Sequence, residues 1–225
     1  MPLTREQIVR TAIDLLDEVG LEGLTLRGLA KQLGVSAPTL YWHVQHKRAL
    51  LDHMAEAMLA QASERRGSPA PGEPWWDWLV AQSRLQWQAL LAHRDGALVV
   101  AGNRPTDASV RLIEETLGTL VTVGFPADEA LESLLALGNY VIGSAVEHHA
   151  EVARAQQTAG EAAPSGATLD GEELPYLAAA VATHGAPQPN RTFEHGLGLL
   201  VSGMRGRLVE LTGTGDPLPT PAAIR

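Results

Sequence analysis

The stretch that decides the fold reads Thr25-Leu-Arg-Gly-Leu-Ala-Lys-Gln-Leu-Gly-Val-Ser-Ala-Pro-Thr-Leu-Tyr-Trp-His-Val44. Its first residue is a favourable helix N-cap, and Gly34 ends a helix of about two turns. Ser36 caps a second short helix, which has Pro38 near its first turn and extends to about Val44. A helix, a glycine-containing turn and a second helix form the helix-turn-helix pattern, whose second helix lies in the major groove of DNA.

The second helix of this pattern carries groups suited to contact. Leu40 is expected to face the core. The side chains expected to point mostly outward are Thr39, Tyr41, Trp42 and His43. Exposed aromatic and hydroxyl groups on so short a helix indicate a contact surface. The alternative is an ordinary helical hairpin in which Tyr41 and Trp42 belong to the core.

The charge distribution favours contact with phosphate. The formal net charge of -9 at pH 7 argues against nucleic acid by itself. Residues 1–66 are neutral overall, however, and residues 25–48 contain no carboxylate. The basic and imidazole side chains in that window are Arg27, Lys31, His43, His46, Lys47 and Arg48. A locally positive surface of this kind is suited to the DNA backbone.

Composition excludes several classes of protein. The chain has 225 residues, of which 45% are hydrophobic and 19% charged, as in a globular protein. There is no cysteine, so disulfide scaffolds, thiolate metal sites and cysteine catalysis are excluded. No apolar run is long enough to span a membrane, and the polar start does not resemble a signal peptide. We therefore expect a cytoplasmic protein without a membrane partner.

The periodicity is helical almost throughout, which predicts an all-α fold. Residues 67–74 read Gly-Ser-Pro-Ala-Pro-Gly-Glu-Pro, a sequence typical of a linker. We expect a three-helix helix-turn-helix domain at 1–66, the linker at 67–74, a larger helical domain at 75–212 and a flexible tail at 213–225. Small and polar residues at 155–173 predict a further loop.

The helix expected at 75–93 is apolar nearly all round, so it should lie inside a bundle. Gln82 and Gln86 lie one turn apart on an inward stripe. Buried amides need hydrogen-bond partners, which the backbone, water or a ligand can supply. We find no catalytic constellation. The adjacent residues Glu147, His148 and His149 point about 100° apart on a helix and cannot chelate one ion together, so neither a metal nor a cofactor is expected.

Glycines recur in two of the helices. The last helix contains Gly196, Gly198, Gly203 and Gly206, and the long helix before it contains Gly138 and Gly143. Each costs roughly 1 kcal/mol of helix propensity, a loss that is understandable where backbones approach closely. The close approach is either within one chain or between two subunits.

Several motifs resemble the tetracycline repressor family of bacterial regulators. In the first 55 residues they are Leu24-Thr-Leu-Arg-Gly-Leu-Ala-Lys-Gln-Leu-Gly-Val35, Pro38-Thr-Leu-Tyr-Trp-His-Val44 and Lys47-Arg-Ala-Leu-Leu-Asp52. Farther along they are Arg94-Asp-Gly-Ala97, Gly102-x-Arg104-Pro105, Gly124-Phe125 and Gly143-x-x-x-Glu147. The resemblance covers residues 4–212. It implies a homodimeric repressor that binds a palindromic operator and is released by a small, largely apolar ligand. The alternatives are a ligand that acts as corepressor or activator, and an all-α enzyme.

The resemblance also implies a set of operator contacts. The residues carried over are Thr25, Arg27, Pro38, Thr39, Tyr41, Trp42, His43 and Lys47, with Lys47 on a phosphate. Ser36 and Ala37 fall within the same surface but depart from the family, which has longer polar side chains there. The methyl group of Ala37 can meet a thymine methyl but cannot form bidentate hydrogen bonds. The operator sequence is therefore expected to differ.

The resemblance further implies an effector pocket and a dimer interface. It places Asn103, Arg104, Pro105, Asn139 and Glu147 in the pocket. The other candidate pocket residues are Gln82 and Gln86 of the inward stripe, Val100, and Leu131 and Leu134 of the long helix. For Arg104 the alternative is a solvated surface position. The last helix and the long helix before it would form a four-helix interface between two subunits.

One substitution bears on the effector. Tetracycline-responsive members of the family have a magnesium-ligating histidine at the position of Val100, and a histidine that contacts the drug near the position of Ser63. An aliphatic side chain cannot ligate a metal ion. We therefore expect no response to magnesium-tetracycline. The tryptophans at 75, 76, 78 and 87 favour a flat, largely apolar effector, such as an antibiotic or a polyketide-like compound.

Overall fold

The computed structural model describes residues 3–157, 172–184 and 188–213. These residues form ten α-helices and no β-strand, as the periodicity predicts. The helices are α1 Arg5–Gly23, α2 Leu26–Gln32, α3 Ala37–His43, α4 Lys47–Arg66, α5 Trp75–Leu91, α6 Gly96–Val100, α7 Asp107–Thr122, α8 Ala127–Gln157, α9 Pro175–His184 and α10 Pro189–Thr212. Within these residues, no helix combines the length and apolarity needed to cross a membrane.

The helix boundaries follow from capping. The Oγ1 of Thr25 accepts a hydrogen bond from the Gly28 amide at 3.1 Å, and the Oγ of Ser36 accepts one from the Thr39 amide at 3.3 Å. Both N-caps were expected from the sequence. Gly34 has φ 67° in the turn between α2 and α3, a left-handed conformation that favours glycine. Leu40 on α3 is buried in the core that α1, α2 and α4 share.

The segment at 67–74 is non-helical, but it is fastened to its surroundings. The Trp78 indole donates to the Gly67 carbonyl at 2.8 Å. The Glu73 carboxylate accepts from the Ala70 amide at 2.9 Å and pairs with Arg66. The segment is therefore a fixed corner between α4 and α5. These two helices pack against each other, and α4 also contacts α1, α6 and α7.

Helix α5 is the centre of the larger helical layer. It packs against α4, α8 and α10, which explains why apolar residues surround it. Trp87 stacks on Phe193 of α10 with ring centroids 4.3 Å apart. Two boundaries differ from expectation. Helix α5 ends at Leu91, before His93, and α8 continues to Gln157, so residues 155–157 are helical. Residues 158–171 of the expected loop lie outside the described residues, as does the tail beyond Gly213, and residues 172–173 are in a turn.

Candidate nucleic-acid interface and effector pocket

Helix α3 presents its aromatic side chains to solvent. Trp42 is 89% exposed and Tyr41 48% exposed, whereas Leu40 is 1% exposed. The alternative in which these two aromatic residues belong to the core is therefore wrong. Pro38, Thr39 and His43 of the same helix are also exposed. The outward face of α3 is a contiguous surface of hydroxyl and aromatic groups.

The start of α3 offers fewer polar groups than its sequence suggests. The Ser36 hydroxyl caps the helix and also forms a hydrogen bond with the Thr39 hydroxyl at 2.8 Å. Ala37 is half-buried and has no polar side-chain atom. The groups left to read base edges are therefore those of Thr39, Tyr41 and the residues that follow.

The cations of residues 25–48 divide into two pairs. Arg27 and Lys31 are exposed, and their spacing of four residues places them on one face of α2. The Lys47 ammonium donates to the Leu21 carbonyl at 2.7 Å, and Arg48 donates to the Gly102 carbonyl. An ammonium has two further N–H donors, so a phosphate contact by Lys47 stays a prediction. The structure adds a role in holding α1 against α4.

Helix α1 is fastened to the α5–α6 connection, residues 92–95. The Asp17 carboxylate accepts from the Arg94 amide at 2.8 Å and contacts the His93 ring at 2.9 Å. The Asp95 carboxylate accepts from the Leu21 amide at 2.8 Å. Sequence reasoning missed this junction, since residues 94–97 drew notice only as part of a resemblance. The sequence signal that could have indicated this junction was the run His93-Arg94-Asp95 before Gly96.

The candidate pocket residues do not form one cluster. Gln82 and Val100 are buried, and Gln86 and Leu134 are half-buried. Arg104, Pro105 and Leu131 are exposed, as the alternative for Arg104 allowed. Among these candidates, therefore, Gln82 and Val100 are the two whose side chains are buried.

The side-chain amide of Asn103 joins two helices. Its side-chain amide donates to the Leu51 carbonyl of α4 at 3.2 Å and to the Val99 carbonyl of α6. Because both carbonyls lie in the backbone of helices, the side chain is committed to joining α4 to α6. A pocket-lining role for Asn103 stays a prediction, and the structure adds this role in joining the two helices.

Asn139 and Glu147 lie on a different face from the other candidates. They line an open groove of about 660 Å³ between α8 and the start of α10, together with Tyr140 and Gly143. Leu131 and Glu147 are sixteen residues apart, so their side chains point about 160° from each other on a straight helix. Within one chain, therefore, Leu131 and Glu147 lie on different faces of α8.

The glycines of α8 and α10 have different surroundings. At Gly196 a Cβ would collide with the Tyr140 side chain, whose hydroxyl donates to the Thr192 and Phe193 carbonyls at 3.0 Å. At the other five, a Cβ would have no described atom of this chain within 4 Å. They are Gly138, Gly143, Gly198, Gly203 and Gly206. Packing within one chain therefore explains Gly196 but none of those five.

Three buried ring nitrogens lie near the C-terminal ends of α5 and α8. They are Nε1 of Trp87 and Nδ1 of both His148 and His149, and none has a hydrogen-bond partner among the described residues. The rings of Trp87 and His148 meet edge-on at 5.6 Å. Burial and the neighbouring His148 lower the pKa of His149, against the opposing effects of the Asp95 carboxylate and the Leu91 carbonyl. The neutral ring is therefore favoured.

Two family models match the chain. Residues 8–54 match the model for bacterial regulatory proteins of the tetR family. Residues 68–208 match the model for the tetracyclin repressor-like C-terminal domain. The first match contains the exposed surface of α3, and the second contains α5 to α9 and most of α10.

Individual relatives agree with these models. The chain is 38% identical over 211 residues to the tetracycline repressor protein class A from transposon 1721 of Escherichia coli, covering 93% of this chain and 94% of the relative. A solved structure of TetR(class A) with 5a,6-anhydrotetracycline and magnesium has 32% identity and a TM-score of 0.68, covering 91% of this chain and 99% of that one. The Streptomyces coelicolor protein ActR with actinorhodin has 26% identity and a TM-score of 0.77, covering 92% and 99%.

Proposed function

The chain belongs to the tetR family of bacterial regulatory proteins, and from this we propose that it is a ligand-responsive transcriptional repressor that binds a palindromic operator as a homodimer. The observation that carries the DNA-binding part is the recognition helix α3, where Trp42 is 89% exposed. A tryptophan of that exposure contributes little to the core, and with the exposed Tyr41 beside it on a seven-residue helix it forms part of a contiguous contact surface. With Arg27, Thr39 and Tyr41 beside it, the surface has the groups that bind phosphate and base edges.

The homodimer is supported by the glycines of α8 and α10. Five of them face no described atom of their own chain, although each costs helix stability. A second copy packed on the same two helices would supply the missing contacts and give a two-fold symmetric assembly. It would also cover the groove that contains Asn139 and Glu147, which would bring those two residues toward the partner. Two recognition helices related by a two-fold axis match a palindrome.

The effector response is supported by the contacts of α6. This helix carries Val100, and Asn103 at its end donates to the Leu51 carbonyl of α4. At its other end, Asp95 accepts from the Leu21 amide of α1. A ligand that displaces α6 therefore moves both helices that support α2 and α3. Because the separation of two recognition helices decides the fit to DNA, such a displacement releases the operator.

The proposed effector is a flat, polycyclic compound that binds without magnesium. Relatives bind anhydrotetracycline with magnesium, in TetR(class A), and actinorhodin, in ActR. Val100 is buried and supplies no ligand for the magnesium ion. The buried side chain of Gln82 on α5 is neutral and suited to a carbonyl or hydroxyl group. This chemistry fits an uncharged polyketide better than a metal chelate.

The direct test is selection of duplex DNA by the full-length chain from a random library, followed by measurement of affinity with and without candidate polycyclic aromatics. We expect a two-fold symmetric consensus bound by a dimer, and release by a compound of this class. A chain that selects no duplex would disprove the proposal. Tighter binding in the presence of the compound would make the ligand a corepressor.

A further inference from the structure

The outward face of α3 is centred on two side chains that are mainly apolar. Pro38 and Trp42 are four residues apart, so they are neighbours on the surface of the helix, and both are exposed. At 100° per residue, each points about 160° away from the buried Leu40. Thr39 and Tyr41 flank this centre on opposite sides. The part of α3 that faces farthest from the core is therefore a proline ring and an indole.

The two hydroxyl groups at the start of α3 are hydrogen-bonded to each other. The Ser36 Oγ lies 2.8 Å from the Thr39 Oγ1 and also accepts a hydrogen bond from the Thr39 amide at 3.3 Å. Because the Thr39 hydroxyl is directed back toward Ser36, its methyl group takes another staggered position. Ala37 adds a second methyl group between these two residues. The first turn of the helix therefore presents mostly carbon atoms.

The sequence of α3 lacks the groups that recognise adenine or guanine through paired hydrogen bonds. From residue 36 to residue 43 no side chain carries an amide, a guanidinium, an ammonium or a carboxylate group. The exposed cations Arg27 and Lys31 lie on α2, where they suit the phosphate backbone. In the major groove, the apolar feature of a base edge is the C5-methyl group of thymine. This methyl group is the natural partner of an apolar helix face.

We propose that α3 reads its operator mainly through thymine methyl groups, which contact the apolar atoms of Ala37, Pro38 and Thr39. The inference rests on the proposed function and adds the kind of base pair that the recognition helix selects. Pro38 lies between the other two residues around the helix, at about 100° from each, so the three form one apolar surface. Each half-site therefore contains thymines whose methyl groups contribute to affinity although they form no hydrogen bond.

The test uses the duplex that the full-length chain selects and changes one thymine of each half-site at a time. Deoxyuridine in place of thymidine removes the methyl group and keeps every hydrogen-bonding group of the base pair. At the same position, 5-methyldeoxycytidine and deoxycytidine, each opposite deoxyguanosine, differ by the same methyl group within another base pair. We expect both removals to weaken binding roughly three- to fivefold per methyl group at one or two positions of the half-site.

Two variants assign the effect to α3. Pro38→Ala removes most of the central ring, and Thr39→Ser removes only a methyl group while keeping the hydroxyl that meets Ser36. In each variant, the ratio of affinities for thymidine and deoxyuridine duplexes should fall to about one at the position that the lost atoms contact. Lys31→Ala is the matched control, because loss of an exposed cation weakens both duplexes alike and leaves the ratio unchanged.

The outcomes separate this inference from the proposed function. If deoxyuridine is tolerated at every position of a two-fold symmetric consensus, the inference is wrong while the proposed function stands. A loss with deoxyuridine that has no counterpart between the two cytidines would indicate duplex deformability and would also overturn the inference. The same holds if Pro38→Ala and Thr39→Ser keep the ratio of the unmodified chain. A chain that selects no duplex would disprove the proposed function itself.

Discussion

At the scale of single residues, hydrogen bonding decides which polar groups of the recognition surface are available to DNA. The Ser36 hydroxyl is used as a helix cap, and the Lys47 ammonium donates to the Leu21 carbonyl. Trp42 and Tyr41 have no such commitment to the fold of their helix. Substitution of the aromatic side chains of α3 should therefore change the affinity for DNA and leave the stability of the protein unchanged.

Trp42→Ala tests this separation. Operator affinity should fall by about tenfold, or about 1.4 kcal/mol, because a large contact surface is lost. The thermal unfolding midpoint should hardly change, since an 89% exposed side chain contributes little to the core. Tyr176→Ala on α9 is the control, because Tyr176 is 91% exposed and lies on another helix. Equal affinity of both variants and the unmodified chain would remove Trp42 from the interface.

A second residue-scale prediction concerns pH and stability. The pKa of His149 is lowered by burial and by His148, so the unfolded chain binds this proton more readily than the folded one. Stability is therefore lost as pH falls through the ordinary histidine pKa of 6.5, and the loss levels off below the folded pKa. Urea unfolding at several pH values should give a shallower acid loss for His149→Gln than for the unmodified chain. Parallel curves would contradict the assignment.

At the scale of helices, local rules account for most of what the sequence predicted. The N-caps Thr25 and Ser36 bind amides only three positions away, so they can be predicted from the sequence. The hydrogen bonds from Lys47 to Leu21 and from Asn103 to Leu51 join residues 26 and 52 positions apart. Such pairs depend on how the helices pack, which periodicity does not specify. Counting turns along α8 is enough to show that Leu131 and Glu147 point in nearly opposite directions. The prediction that placed both residues in one pocket did not take this orientation into account.

The element-scale prediction concerns α10. Gly203→Leu should leave the fold of a single chain unchanged, because a Cβ there has no described neighbour within 4 Å. Between two subunits the added side chain would cost roughly 1–3 kcal/mol or more. Sedimentation should therefore show monomer or aggregate, with helical content preserved in circular dichroism. Gly118→Leu on α7, where a Cβ also has open space, is the control and should stay dimeric. Normal dimers of Gly203→Leu would exclude α10 from the interface.

At the scale of the whole molecule, the proposed effector response depends on the contacts that join α6 to α4 and α1. The buried Val100 lies on α6, between Asp95 at its start and Asn103 at its end. Composition and motifs predicted the architecture and the recognition surface. They did not predict the contacts between helices, which belong to this particular packing of side chains.

The prediction at this scale is that magnesium-tetracycline is not an effector. Tryptophan fluorescence titrated with tetracycline should show no quenching that requires magnesium, because Val100 cannot ligate the ion. Operator binding should persist in the same mixture. Micromolar, magnesium-dependent quenching together with operator release would mean that the ion is held adequately by other groups and that Val100 does not determine the response.

The fixed corner at 67–74 has a consequence for protein engineering. In a chimera joined within this segment, a DNA-binding domain from another protein would bring its own helix in place of α4. That helix would lack Arg66, the partner of Glu73. The transplanted domain would also lack the groups that bind residues 93–95 in this chain, which are the Asp17 carboxylate and the Leu21 amide. Functional transplants of DNA specificity should therefore exchange the outward side chains of α2 and α3 alone. In this chain, the part that can be exchanged is the exposed surface of the helix-turn-helix motif and not the whole N-terminal domain.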